Sequence, residues 1–306
     1  MEQSASRGVA FKLRVNVEWC ARVTPAIRDG VGHTGARLAV GRSRAHRRRE
    51  RVRLDAMDEA DFYTGLVARL YSPLRSVDPD PDPYARFIAV SGEPALELGC
   101  GDGDPMLELR RRGIQVTGVD SSADMLDRLR TRAGEMDVEV VVHHQRMQDL
   151  DLGTTFRSVY LAGPTFTLLP DDEAAAQALA GIRTHLAPGG SALIPLFIPD
   201  ALPAAAIGHP SEHVDDDGTV LRFLVLAESI DEPARRLVRS TRYEAIGPDG
   251  ATESAERDWV LHWYTQDGFR SLAEAAGLDV GAVIRPDATP AQPDDDVFVF
   301  LLTRPA

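Results

Sequence analysis

The chemistry of this chain concentrates in Glu97-Leu98-Gly99-Cys100-Gly101-Asp102-Gly103 and in Asp120. A short apolar run ends in three glycines at alternate positions, and an apolar-periodic segment follows from Met106. Glycine is needed where a chain turns sharply or where a ligand lies against the backbone. A helix beginning just beyond such a turn presents free N–H groups. A second apolar run, residues 114–119, ends in Asp120. Two strands joined by a helix, with an acid at the tip of the second, form a nucleoside-binding half-site. The acid can accept hydrogen bonds from the ribose hydroxyls. A dinucleotide loop has the spacing G-x-G-x-x-G. Here it is G-x-G-x-G, with Asp104 where the third glycine would stand. An NAD-dependent oxidoreductase is therefore the disfavoured alternative.

The elements that must position these groups read in order along the chain. Residues 58–72 have helical spacing, with Phe62, Leu66, Leu70 and Leu74 four apart, and Pro73 should end the helix. Residues 77–83 alternate proline and aspartate and read as an extended break, before a short helix at 84–90. Strands are expected at Ala95–Leu98, 114–119, 138–142, 158–161 and 191–197. Between them, helices are expected from Asp104 or Pro105 to Arg112, over 123–132 and over 171–186, the last closed by Leu186-Ala187-Pro188-Gly189-Gly190. Residues 199–218 read as an irregular, mobile lid, followed by three alternating runs at 220–229, 236–245 and 256–264. Thr265 should cap a helix over 266–276, and Asp279–Ile284 with 297–302 should close the sheet as a hairpin. The expected fold is α/β: a doubly wound, mostly parallel seven-stranded sheet, Rossmann-like, with an antiparallel β insertion at about 199–264 roofing the site.

Glu97-Leu98-Gly99-Cys100-Gly101-Asp102-Gly103 resembles the first motif of the class I S-adenosylmethionine (SAM) dependent methyltransferases. Asp120-Ser121-Ser122-Ala123-Asp124-Met125-Leu126 resembles the family's D-x-S-x-x-M-L run. Trp263-Tyr264-Thr265-Gln266-Asp267 resembles its W-Y-T-x-E, with aspartate in place of glutamate. In Gln145-Arg146-Met147-Gln148-Asp149-Leu150, Asp149 fits the family's G-D-x-x-D-L pattern, while Arg146 replaces its first acid. The resemblance covers about residues 58–304. It implies SAM as cofactor, held by Tyr71, Glu97, Gly99, Gly101, Gly103, Asp120, Ser121, Met125, Met147, Gln148, Asp149 and Leu161. It also implies that a tyrosine of the N-terminal helix, Tyr63 or Tyr71, touches the methionine end, that Met125 packs near the adenine, and that Arg86 is a candidate for the carboxylate. Tyr160, Thr165 and Thr167 are candidates for the acceptor side. A base would come from His143, His144, His209, His213, His262, Tyr160 or Tyr264, with Tyr160, His262 and Tyr264 preferred. The roof and the tyrosine-bearing helix resemble the branch holding glycine and amino-sugar N-methyltransferases. A small-molecule acceptor follows, with N-methylation favoured over O-methylation. A non-catalytic SAM-binding regulator is the alternative from another class.

Composition bounds the rest. The 306 residues are 43% hydrophobic and 26% charged, as in an ordinary globular protein. No apolar run approaches the ~20 residues of a membrane helix. A net charge of −13 disfavours nucleic acid as the main partner, since phosphate contacts need a basic face. Cys20 and Cys100 form no disulfide framework and no metal-ligand pattern, which fits a reducing cytoplasm and no metal. Residues 1–56 hold 13 Lys+Arg against 5 Asp+Glu and read as a basic, disordered extension preceding a domain at 57–306, with Met57 as the candidate start. The single lysine, Lys12, beside abundant arginine, alanine and proline, suggests a GC-rich bacterial genome. A monomer or homodimer is expected.

Overall fold

The structure is a computed structural model and describes residues 62–75 and 80–306. The extension at 1–56, Met57, the first residues of the expected N-terminal helix and part of the proline–aspartate break lie outside the described residues.

Seven strands form the main sheet: β1 (Ala95–Leu98), β2 (Val116–Asp120), β3 (Val141–His144), β4 (Phe156–Tyr160), β5 (Leu186–Phe197), β10 (Asp279–Ile284) and β11 (Val297–Thr303). Their order is β10-β11-β5-β4-β1-β2-β3. The pairs β3–β2, β2–β1, β1–β4 and β4–β5 are parallel, and β11 runs antiparallel to both neighbours. The chain runs outward through β1, β2 and β3, then returns to place β4 on the other side of β1. That reversal opens a crevice above the carboxyl ends of β1 and β4, the position where open α/β sheets bind ligands.

Helices cover both faces. Leu96 and Leu98 join one core layer with α5 (Asp172–His185) and α6 (Gln266–Ala275). Ala95 joins the other, with α2 (Asp82–Ser91), α3 (Met106–Arg111) and α4 (Ala123–Glu135). β1 is buried on both faces, as a central parallel strand must be. Three helices begin where a side chain satisfies a free N–H: Ser122 on Met125, Asp171 on Ala174 and Thr265 on Gly268.

A second sheet is antiparallel, in the order β6-β7-β8-β9, built from β6 (Ser211–Val214), β7 (Val220–Asp231), β8 (Arg236–Ile246) and β9 (Thr252–His262). Its inner face, with Leu221, Leu237, Tyr243, Trp259 and Leu261, packs against the N-terminal α1 (Leu66–Tyr71).

Several boundaries differ from the sequence reading. Among the described residues the helix expected over 58–72 is Leu66–Tyr71, because Gly65 turns at φ +56° and its N–H goes to Asp124 Oδ2 at 2.6 Å. α2 starts inside the proline–aspartate run, since Pro83 falls in its first turn, where a missing N–H costs nothing. β3 lies later than 138–142, at the register that pairs Thr117 with Val141. β5 begins at Leu186 rather than 191, because Leu186 pairs with Phe156 and Arg304 holds Leu186 O at 2.5 Å. Within the expected lid, Ser211–Val214 forms β6 against β7.

Gly118 on β2 sits directly beneath the glycine loop. A Cβ there would lie 2.7 Å from Cys100 Sγ and 2.8 Å from Met106 Sδ. Gly118→Ala should therefore cost roughly 1–3 kcal/mol through overpacking. Urea denaturation reads this as a lowered midpoint; an unchanged midpoint would show that Met106 and Cys100 move aside freely.

Candidate functional site

The loop after β1 is fixed by backbone bonds. Gly99 N–H and Cys100 N–H both donate to Val119 O, at 2.8 and 3.0 Å. Gly101 N–H donates to Asp120 Oδ2 at 2.7 Å, and Ser122 N–H to Asp120 Oδ1 at 2.8 Å. Gly99 and Gly101 adopt φ of +73° and +51°, the left-handed region that favours glycine. A Cβ on Gly99 would lie 2.5 Å from Thr165 Cγ2, so the loop and the β4 end touch backbone to side chain. Burial pushes the Asp120 carboxyl up, and the two N–H donors oppose the shift.

These groups open onto a cavity of about 510 Å³. Gly99, Gly101, Asp120, Ser121 and Met125 line one part of it. Gln145, Arg146, Met147 and Gln148, from the turn after β3, line the next. Tyr63, Tyr71, Thr165 and Trp259 line a third part, together with Phe62, Leu168 and Leu169. Tyr63 and Tyr71 meet edge to face at 5.5 Å. Burial pushes the Tyr71 hydroxyl up to about 12, against the lowering effect of Arg75.

Two ties hold the N-terminal segment across this cavity. On one side Ser122 Oγ donates to Tyr63 O at 2.5 Å, while accepting the Met125 N–H as helix cap. On the other, Ser72 Oγ donates to Asp102, and Arg75 pairs with Asp104 at 2.5 Å. Arg132 completes this cluster, reaching Asp104 at 2.9 Å and Asp102 O at 2.9 Å. The roof has its own anchor. Arg239 and Glu228, both about 6–7% exposed, pair at 2.6 Å, and the Arg239 guanidinium lies 5.8 Å from the Trp259 ring.

The sequence reading and the cavity agree in part. Tyr71, Gly99, Gly101, Asp120, Ser121, Met125, Met147 and Gln148 are brought together there. Glu97, Gly103, Asp149 and Leu161 are not on its wall. Gly103 instead packs on Leu107 and Leu129, where a Cβ would lie 2.7 Å from Leu107. Leu161 is buried in the core and Asp149 is exposed.

The three preferred base candidates are also elsewhere. Tyr160 is fully buried and donates to Glu97 Oε2 at 2.6 Å. Tyr264 is buried against Phe166 and Phe269, and burial raises its hydroxyl well above the ordinary tyrosine range. His262 faces Asp172, with Nε2 at 3.0 Å. None of His143, His144, His209 and His213 lines the cavity; Thr167 does not either, and Arg86 lies on α2 beside Asp82. Phe62, Gln145, Leu168, Leu169, Pro170 and the β9 residues 258–260 were missed by the sequence reading. Strand alternation could have found Trp259, which shares its inward parity with Leu261.

Comparison with known proteins agrees with this architecture. Residues 95–190 match the family described as "Methyltransferase domain". The cypemycin N-terminal methyltransferase of Streptomyces sp. is 29% identical over 194 residues, 63% of this chain and 76% of that protein. The CcbJ methyltransferase from Streptomyces caelestis shares the fold with a TM-score of 0.66 and 24% identity, over 81% of this chain and 100% of that one. CalS10, an amino pentose methyltransferase from Micromonospora echinaspora solved with SAM bound, shares it at a TM-score of 0.57 and 21% identity, over 79% and 98%. Residues 95–190 thus match a methyltransferase domain, and the motif loop closed on Asp120 and the sheet order with its antiparallel last strand are those of the class I SAM-dependent methyltransferase fold.

Proposed function

We propose that the enzyme N-methylates an amine on a small-molecule acceptor. The observation that carries this is that no histidine is among the described residues of the cavity wall and that both of its carboxylates already accept hydrogen bonds. Asp120 already accepts two backbone N–H groups, and Asp258 Oδ1 accepts the Ser240 hydroxyl at 2.6 Å. Tyr71 is too weak an acid to exist as phenolate near neutral pH. A hydroxyl acceptor must lose its proton as it attacks, whereas a free-base amine attacks with its lone pair and sheds a proton afterwards. A wall with no histidine and with engaged carboxylates suits the amine. The names of two relatives point the same way, one an N-terminal methyltransferase and one an amino pentose methyltransferase.

In this reading Asp120 accepts the ribose hydroxyls with its remaining lone pairs. Gly99 and Gly101 let the cofactor lie against the backbone, and Tyr63 and Tyr71 enclose its methionine end. Ser121, Met125, Met147 and Gln148 surround the adenine. Bound SAM supplies a methyl group already activated on a sulfonium. The chain's own work is then to bind, orient and exclude water. The N-terminal segment and β9 do the excluding, with Trp259, Phe62 and Leu168 shaping the acceptor side. We take the enzyme to act as a monomer or homodimer in the bacterial cytoplasm, with no nucleic-acid partner. Among the described residues no helix is long and apolar enough to cross a membrane.

Calorimetric titration should show binding of SAM and S-adenosylhomocysteine (SAH) and none of NAD. Asp120→Ala should weaken SAM by roughly 1–3 kcal/mol, the scale for unpairing charged hydrogen bonds. Unchanged affinity in that variant would place the ribose elsewhere. In a screen of matched acceptors differing only in amine or hydroxyl, turnover should follow the amine. Its rate should climb about tenfold per pH unit below the acceptor's own pKa, as free base forms. Methylation of the hydroxyl partner alone would overturn the N-methylation reading.

A further inference from the structure

Glu97 holds a buried acid that the methyl-transfer scheme above does not use. It occupies the third position of β1, between Gly118 of β2 and Tyr160 of β4, two residues before the cavity-lining Gly99. Its side chain is fully buried. Oε2 accepts the Tyr160 hydroxyl at 2.6 Å, and Oε1 has no hydrogen-bond partner among the described residues. Tyr84 of α2 stacks on Tyr160 with ring centroids 5.2 Å apart.

The titratable groups that face this carboxyl are neutral or negative. They are Tyr160 from β4, Tyr84 from α2, Asp120 from β2, and Cys100 and Asp104 from the loop. The nearby cations, Arg75 and Arg132, are engaged by Asp102 and Asp104. Burial therefore pushes Glu97 up to about 8, with Asp104 and Asp120 adding to the shift and the Tyr160 hydrogen bond opposing it. A buried acid without a cation is costly, and an apolar or amide side chain of the same shape would avoid the cost. What distinguishes a carboxyl from those is that it can become negative when a positive charge arrives next to it.

SAM and its product SAH differ by one methyl group and one charge. The sulfonium is a fixed cation, and the thioether that remains is neutral. Adenosine, carboxylate and ammonium are common to both. We propose that Glu97 is the residue that separates SAM from SAH: its carboxyl releases its proton to solvent when a sulfonium lies over the glycine loop and keeps it when the thioether does. Tyr160 donates to Oε2 in both states, so the proton is the only atom that leaves. A charge at such a site is weakly screened by salt and acts through the low-dielectric strand ends. The enzyme thereby binds cofactor in preference to product, and more so as the pH rises toward 8. This inference rests on the cofactor placement proposed above and is independent of the acceptor's identity.

The test is calorimetric titration of the full chain with SAM and with SAH. Two buffers of different ionisation enthalpy, phosphate and Tris, yield the number of protons released. In the wild type SAM should release more protons than SAH near pH 7. The ratio of the SAH to the SAM dissociation constant should rise with pH by up to about tenfold per unit, the limit for one proton. Glu97→Gln should abolish both the excess release and the part of the slope it causes; comparing variant with wild type removes the ligands' own ionisation. Equal SAM-minus-SAH proton counts in wild type and variant would overturn the proposal. Should Glu97→Gln not fold, Tyr160→Phe serves, since losing the donor moves the steep part of the ratio to higher pH; an unmoved profile would count against the proposal. The ligand-free chain provides a second readout. A carboxyl raised in the folded state stabilises fully below its unfolded pKa and loses that contribution as pH rises through about 8. Wild-type melting temperature should fall through that window and the Gln variant's should not; a flat wild-type profile would mean that Glu97 is ionised throughout, and would overturn the proposal. If instead Asp120→Ala leaves SAM affinity unchanged, it is the cofactor placement that fails.

Discussion

The pair of hydrogen bonds from Gly101 and Ser122 to the Asp120 carboxylate is the constraint on which the site depends. One bond comes from the loop after β1, the other from the N-terminus of α4. Together they bring two segments to a single side chain at the end of β2. Gly99 and Cys100 add bonds to Val119 O, so the loop is held flat over the strand ends. That geometry needs positive φ at Gly99 and Gly101 and leaves no space at Gly99 for a Cβ. The same bonds orient both Asp120 oxygens while leaving lone pairs for a ligand. A site assembled this way is organised before anything binds, which lowers the ordering cost of binding.

The covering elements are attached differently. The N-terminal segment reaches the core through charged and polar ties at its two ends, Ser122 with Asp124 and Asp102 with Asp104. Its apolar side chains Phe62, Leu66 and Leu70 pack on the antiparallel sheet. The cavity is thus closed by apolar packing against the roof and by polar ties to the glycine loop. Asp102 and Asp104 belong to that loop, so closure and the glycine loop share residues. A change in the loop's charge balance reaches the covering segment directly, through Arg75 and Arg132.

The parts of the fold that were legible in the sequence are those where one residue type is physically required. Gly99 and Gly101 stand where side chains rarely adopt the backbone, and Asp120 ends an apolar run at a strand tip. The cap at Thr265 was legible for the same reason. What was not legible depends on partners far away in sequence. β3 is an edge strand with exposed Val141, so its register follows β2 rather than its own apolar pattern. β6 has four residues, three of them exposed, and exists only because β7 offers an edge. Tyr160, His262 and Tyr264 carry reactive groups, but reactivity says nothing of direction: each side chain is turned to Glu97, to Asp172 or into the aromatic core. Trp259 was hidden in the opposite sense. Its inward parity was readable, and the cavity it faces was not.

The two halves of the cavity have different sequence economies. On the cofactor placement proposed above, the cofactor-side wall comes from residues 99–148, a contiguous stretch from the glycine loop through β3 inside the matched domain. The rest of the wall, which on that placement holds the acceptor as well as the tyrosines over the methionine end, comes from residues 62–71, 165–170 and 258–260, three segments that meet only in the folded chain. Substitutions at 258–260 can therefore alter which molecule fits without touching the bonds to Asp120, since sites with no shared partner behave independently, whereas the 62–71 segment is tied to Ser122 and Thr165 abuts Gly99. The Arg239–Glu228 pair extends that logic into the roof. It fixes the Trp259 ring from behind, where a change would reshape the acceptor side through the ring and leave the glycine loop as it is. On the placement proposed above, specificity is carried by the elements that the cofactor does not need.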